Sequence, residues 1–202
     1  LDRHIRNMAG FGVPVIVSIN RFTSDTDAEI AALTDAAHAS GAREVTVTEV
    51  HSKGGAGGQD LANAVVKAVQ DHVAAGRPFT PLFLDDAPII DKMEAIATRM
   101  YKAKDVIIEP KAKKQLDKII SWGYGKLPVC MAKTQYSFSH DAGKLGAPSG
   151  FTLPVREFRL NAGAGFVVAI LGNMMTMPGL PKRPAALNMD MDDDGNQVGI
   201  FG

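Results

Sequence analysis

The sequence predicts an α/β protein: a parallel-sheet βαβ domain followed by a smaller α+β domain with antiparallel strands. Three observations predict it. Residues 13–19 read Val-Pro-Val-Ile-Val-Ser-Ile, a short β-branched run of the kind that fills a buried parallel strand. Between residues 20 and 75, helix-period segments alternate with a second strand signal, which is the β-loop-α-β-loop-α order of a parallel sheet. From residue 127 the texture changes to short apolar runs separated by Gly and Pro. The expected division is residues 1–95 and residues 96–202.

Each element has its own reason. Residues 20–25 form a loop after the first strand. Thr26 and Glu29 have capping-box spacing, and a helix follows with Ile30, Leu33, Ala36 and Ala37 as its apolar stripe. Ser40-Gly41 closes it. Val45, Val47 and Val50 mark the second strand. Residues 51–58, His-Ser-Lys-Gly-Gly-Ala-Gly-Gly, read as a glycine-rich loop. Leu61, Ala62, Val65, Val66 and Val69 then continue as an amphipathic helix. Residues 76–88 carry Pro78, Pro81 and Pro88 without helical period and read as a linker. A helix is expected over 89–101, a strand over 106–108 and a one-sidedly basic helix over 111–122. The apolar runs 127–131, 151–160, 166–171 and 198–201 read as an antiparallel β unit. The loops 133–150 and 174–184 are long enough to suggest function.

Composition excludes several classes. The 202 residues are 46% hydrophobic, enough for a sizeable core. Lys+Arg and Asp+Glu both number 22, so bulk charge supports neither nucleic-acid nor membrane-surface binding. No apolar run approaches the length of a membrane span, and no signal-peptide pattern opens the chain. Cys130 is the only cysteine, which rules out an internal disulfide framework and a cysteine-rich zinc site. A reducing, cytoplasmic setting is expected. The chain opens Leu-Asp-Arg-His without an initiator methionine, so a piece of a longer polypeptide is expected.

Candidate sites follow from residue types in place. The glycine-rich loop lies between a strand and a helix, where backbone N–H groups could hold an anion beside Lys53. Its Gly54-Gly55-Ala56-Gly57-Gly58 string fits neither dinucleotide nor P-loop spacing, and on spacing alone a plain flexible connection is the better reading. Phe22 follows the first strand, where an exposed ring could stack on a planar ligand or fold over the sheet edge. His51 follows the second strand, so two planar groups fall on neighbouring loops. Residues 190–195, Asp-Met-Asp-Asp-Asp-Gly, begin like a calcium loop, but Phe201 stands at the twelfth position. A β-turn at Asp194-Gly195 is the expectation. His4, His38, His51, His72 and His140 have no paired ligand spacing, and no metal site is expected. Cys130 is expected buried and inert. Ser137, His140 and Asp141 read as loop composition, and Met174, Met175 and Met177 as packing.

Longer strings carry a resemblance. They include Arg3-His4-Ile5, residues 11–15 (FGVPV), Ile19-Asn20-Arg21-Phe22, Asp25-Thr26 and Lys53-Gly54-Gly55. Most specific are LPVCMAKTQYS at 127–137 and MTMPGLPKRP at 175–184. Together they resemble the C-terminal part of the formate–tetrahydrofolate ligases, end to end. That resemblance implies an enzyme joining formate to tetrahydrofolate with ATP, through formyl phosphate. It implies MgATP held mainly by an N-terminal P-loop domain, tetrahydrofolate and formate as substrates, a monovalent cation, and a homo-oligomer, often a tetramer. No P-loop string occurs in these 202 residues. The chain therefore resembles the ligase's second and third domains, and alone it is expected to be inactive.

The resemblance also places residues. Phe22 matches the family's pterin-stacking phenylalanine, and Val47 an apolar position lining the same pocket. Thr23 stands where many members have proline. His51 stands where many have tryptophan, which leaves a planar but smaller, titratable group. Lys53, Gly54 and Gly55 follow shortly after, and their candidate anion side rests on the loop's place between strand and helix, not on the resemblance. Lys133, Thr134 and Gln135 belong to the family's most recognisable segment, expected near the domain junction and facing the nucleotide. The alternative from another class is a stand-alone, non-catalytic folate-binding or partner-subunit module. A third is an oligomerisation piece with a decayed pocket.

Overall fold

The computed structural model describes residues 1–172, 183–195 and 197–199. It shows a mixed α/β chain in which parallel strand pairs and a mixed sheet are built around two hydrophobic cores. The 174–184 loop and its methionines lie almost wholly outside the described residues.

The first part holds strands β1 (Ile16–Asn20) and β2 (Glu44–Thr48), paired in parallel with Ile19 opposite Val47. Helix α1 (Asp2–Ala9) precedes them, and α2 (Asp27–Ala39) connects them. The sequence reading assigns nothing to α1. Only Ile5 of its eight residues is buried, and so short a helix depends on tertiary anchors. The capping box of α2 forms as expected: Glu29 N–H donates to Thr26 Oγ1, and Thr26 N–H donates to the Glu29 carboxylate. Thr26→Ala is expected to cost about 1 kcal/mol, read as a lowered urea midpoint.

Ile5, Ala37 and Ala42 form the small core, with Val15, Val17 and Val45 against it. Two expectations are corrected here. Of the α2 stripe only Ala37 is buried, and Leu33 is exposed. The run at 13–19 begins its ladder only at Ile16, and only Ile19 in it is buried. A parallel strand needs cover on both faces, and the described elements cover it incompletely.

After β2 the predicted glycine-rich loop is helical. Val50–Lys53 is one turn of helix (α3), and Gly54–Gly58 is a 3₁₀ turn leading into α4 (Gln59–Ala74). Val50 thus opens a helix rather than ending a strand. The α4 face against the sheet is marked by buried Ala68, while Val65, Val66 and Val69 are exposed. The expected stripe is therefore displaced around the helix. Residues 77–88 hold no helix or strand.

The larger core begins at α5 (Ile89–Ala95), which runs into a π-helical turn at Ile96–Met100. Strand β3 (Asp105–Ile108) and helix α6 (Pro110–Ser121) follow where expected, α6 with proline at its first turn. Then come β4 (Val129–Ala132), β5 (Thr152–Val155), β6 (Glu157–Asn161) and β7 (Phe166–Ile170). The expected antiparallel pairing holds for β6 with β7, but β3 pairs β5 and β4 pairs β7 in parallel. The intervening helix and the long 133–150 loop supply the crossovers that parallel pairing requires. Leu116, Leu153, Val155, Val167, Ala169 and Leu171 are buried between α6 and the strands. Strands β8 (Asp190–Met191) and β9 (Gln197–Val198) form the expected hairpin, with Gly195 N–H donating to Asp192 O. Cys130, expected buried, is exposed on β4, because the alternation of that strand turns it away from the core.

Candidate functional site

The carboxyl ends of β1 and β2 carry the first group of predicted residues. Arg21 N–H donates to Thr48 O at 3.0 Å, which ties the two strand ends together. The chain then turns tightly: Phe22 N–H donates to the Asp25 carboxylate at 2.8 Å, and Asp25 N–H returns to Phe22 O at 3.1 Å. Arg21 reaches Asp27 at 2.7 Å, anchoring the loop to α2. These bonds fix the loop backbone while the Phe22 ring is 58% exposed. Thr23 is exposed beside it.

Val47 is the register partner of Ile19, so both side chains project from one sheet face. Ile19 is buried and Val47 is exposed, so cover at this end of the sheet lies over β1 rather than β2. His51 is exposed in the turn of α3. Phe22, Thr23, Val47 and His51 thus share one end of the parallel pair, the end where open α/β sheets take ligands. A cleft of about 650 Å³ opens between the end of β1 and α2, lined by Ile19, Asn20, Asp25, Glu29, Ile30 and Leu33, and none of the four predicted residues lines it.

The glycines have structural work in this geometry. A side chain on Gly57 would meet the Glu49 backbone at 2.5 Å, and Glu49 N–H donates to Gly57 O at 3.0 Å. Gly54 has φ +58 at the junction of the two turns. Nothing lies within 4 Å of a side chain placed on Gly55. The Lys53 ammonium pairs with the Glu49 carboxylate, and this hydrogen bond holds the Glu49 carboxyl below its usual range. Gly57→Ala is expected to destabilise by about 1–2 kcal/mol and Gly55→Ala to be nearly neutral, compared by chemical denaturation.

Lys133, Thr134 and Gln135 lie elsewhere, directly after β4. The Lys133 ammonium donates to Thr134 O at 3.1 Å and to Ser137 O, and stands 4.9 Å from the Tyr101 ring centre. Lys133 and Gln135 line a cavity of about 220 Å³ with His4, Tyr101, Tyr136, Ser137, Phe138 and Gly146. None of the first group lines it. Ser137 and Ser139 share a hydrogen bond at 2.9 Å, and Ser137 Oγ donates to Lys144 O at 2.6 Å, so these hydroxyls hold the loop together.

Sequence reasoning gave no place to α1, whose His4 lines this cavity and whose Arg3 and Asn7 fasten the helix beside it. Arg3 donates to Tyr101 O at 3.3 Å and to Ala147 O at 3.2 Å, and its guanidinium lies 5.2 Å from the Phe138 ring. Asn7 donates to Met100 O at 2.9 Å. Helix α1 therefore joins the small core, through Ile5, to the elements of the larger one. The string Arg3-His4-Ile5 stood among those shared with the family, but nothing in it showed which carbonyls Arg3 would reach.

Burial holds the Lys133 ammonium below the ordinary lysine value of 10.5 and pushes the Tyr101 phenol up. Between the folded-state value of Lys133 and 10.5 the unfolded chain binds more protons, so stability rises with pH across that window. Lys133→Met is expected to remove that rise, measured as urea midpoints at successive alkaline pH values.

Comparison with known proteins agrees with the strings in the sequence. The family model described as formate–tetrahydrofolate ligase matches residues 1–201. The formate–tetrahydrofolate ligase of Maricaulis maris (strain MCS10) is 51% identical over 201 residues, which is 100% of this chain and 35% of that protein. The ligase of Paracoccus denitrificans (strain Pd 1222) is likewise 51% identical, with the same coverage. The chain thus spans about a third of the length of these relatives, and by its match from end to end it belongs to the formate–tetrahydrofolate ligase family.

Proposed function

We propose that this chain is the folate-positioning part of an ATP-dependent ligase that converts formate and tetrahydrofolate to 10-formyltetrahydrofolate. The observation that carries the reading is the exposed Phe22 ring. It is held by the Asp25 clasp at the ends of β1 and β2, with Val47 and His51 on the adjoining strand end. A pterin is a flat, polar-edged ring. Phe22 offers a face for it to stack on, Val47 an apolar floor and His51 a second planar group. A rigid loop backbone lowers the ordering cost of binding.

The reaction implied by the family has two steps. Formate oxygen attacks the γ-phosphorus of ATP, giving formyl phosphate and ADP. The N10 amine of the folate then attacks the formyl carbon and phosphate leaves. Phosphoryl transfer needs a phosphate-cradling loop, a lysine and Mg²⁺. The sequence contains no P-loop string, and among the described residues no three acidic, histidine or cysteine side chains gather to hold a metal. The resemblance places MgATP mainly on the part of the ligase that this chain does not span. This chain's contribution is positioning, which raises the effective concentration of the amine at the formyl donor. We propose residues 1–95 as the folate side and residues 96–202, with Lys133, Thr134 and Gln135, as the side facing the nucleotide-binding part. A cytoplasmic homo-oligomer is the expected setting.

Two measurements test this. Calorimetric titration with tetrahydrofolate is expected to show saturable binding. An assay with formate, ATP and tetrahydrofolate is expected to show no turnover by the 202 residues alone. Turnover by the isolated chain overturns the division of labour, and absence of folate binding overturns the site. Binding by a polypeptide whose natural mass is near 21.5 kDa would instead support the stand-alone module.

A further inference from the structure

Helix α4 is apolar on two sides. Ala68 is buried on the side facing the sheet, with Leu61 and Ala64 half-buried nearby. Val65, Val66, Val69 and Val73 are 43–71% exposed on the other. At 3.6 residues per turn these four valines fall within an arc of about 100°. Asn63, Lys67 and Gln70 occupy the remaining, polar side. A surface helix normally shows one apolar stripe, and a helix apolar on two sides is one covered on two sides. The sheet under α4 is unfinished in the same sense. β1 and β2 form a two-stranded sheet, each with an unpaired outer edge among the described residues, and β1 is only half-covered. Two parallel strands alone are marginal, and parallel sheets occur buried.

We propose that the valine face of α4 is the docking surface for the part of the ligase that this chain does not span. This rests on the reading of the chain as one part of a larger ligase. Length chooses the occupant. Roughly two-thirds of each 51%-identical relative lies outside the match, ample for a domain with an apolar face of its own. A second copy would cover the valines but would leave that remaining chain without a place against the unfinished sheet.

The test co-produces the tagged 202-residue chain with the unmatched remainder of the Maricaulis maris ligase and measures recovery on the tag. The expected result is capture. The pair Val69→Asp and Val73→Asp should lower it by about tenfold or more, since carboxylates in an apolar contact are strongly disfavoured. Lys114→Gln, exposed on α6, should leave it unchanged. A second measurement joins the same two pieces in the relative's own order and follows hydrogen exchange over residues 60–75. Exchange should slow at least about tenfold against the free chain. Unimpaired capture by the aspartate pair overturns the proposal. So does failure to capture together with unchanged exchange, and so does a dimer of the chain alone that the aspartate pair abolishes. Tetrahydrofolate titration of the aspartate pair keeps the two readings apart. Retained folate binding with undisturbed capture defeats only the docking surface, and no binding by the unmodified chain defeats the folate reading.

Discussion

Phe22→Ala is expected to weaken tetrahydrofolate binding by about 30-fold while leaving the urea midpoint almost unchanged. Stacking of one heterocycle on one aromatic side chain contributes roughly 1–3 kcal/mol by alanine substitution, and each 1.4 kcal/mol is about tenfold. The ring is 58% exposed and absent from both cores, so its removal costs the fold little. The Asp25 clasp uses the Phe22 backbone, which alanine retains. Binding loss without stability loss therefore isolates the stacking role. His51→Trp supplies the opposite arm: a larger ring at the neighbouring strand end should tighten binding. Trp122, exposed on the turn after α6, is the sole tryptophan, so calorimetry is the cleaner readout. Equal affinity of Phe22→Ala and the unmodified chain would remove Phe22 from the site.

Lys92→Met is expected to destabilise the chain by about 3 kcal/mol. The Lys92 side chain is 1% exposed, in α5 between Ile89 and Met93 of the larger core. Its ammonium donates to Asp85 O at 2.6 Å, Lys126 O at 2.7 Å and Leu127 O at 3.5 Å, and lies 5.7 Å from the Phe83 ring. All three donors are thus aimed at carbonyls from two separate chain segments, the 76–88 stretch and the turn before β4. Methionine keeps the apolar stem but leaves those carbonyls without a donor, at roughly 1–3 kcal/mol for each one that stays buried. Some will reach water, which sets the middle figure. Urea denaturation measures it. A change below about 0.5 kcal/mol would mean that the clasp contributes nothing net and the packing alone holds these segments.

Much of the fold was legible because it rests on local patterns. Thr26 and Glu29 announced the start of α2, and Ala112, Leu116 and Ile119 lie within the helix expected over 111–122, which starts one residue earlier at Pro110. The Asp194-Gly195 turn marked a hairpin. Strand direction was not legible. The apolar runs after residue 127 look alike whether their partners run parallel or antiparallel, and only the crossovers decide it. The glycine-rich segment misled because glycine serves close backbone approach as readily as an open loop, and at Gly57 it serves the former. Lys92 was invisible as a buried residue, since nothing in its neighbours shows that three carbonyls converge on it.

The site divides in the same way. The sequence alone determined the family, through strings too long to arise from composition, and it singled out Phe22, Val47 and His51 by their match to that family's positions. Tertiary structure decided what those residues can reach. Parallel register set Val47 beside Ile19, the Asp25 clasp left the Phe22 ring exposed, and Lys133 went to a separate cavity beside α1. It also decided that the valines of α4 are left uncovered by the described chain. Hydrophobic periodicity records that a face is to be buried, whereas what buries it depends on chain brought together from elsewhere.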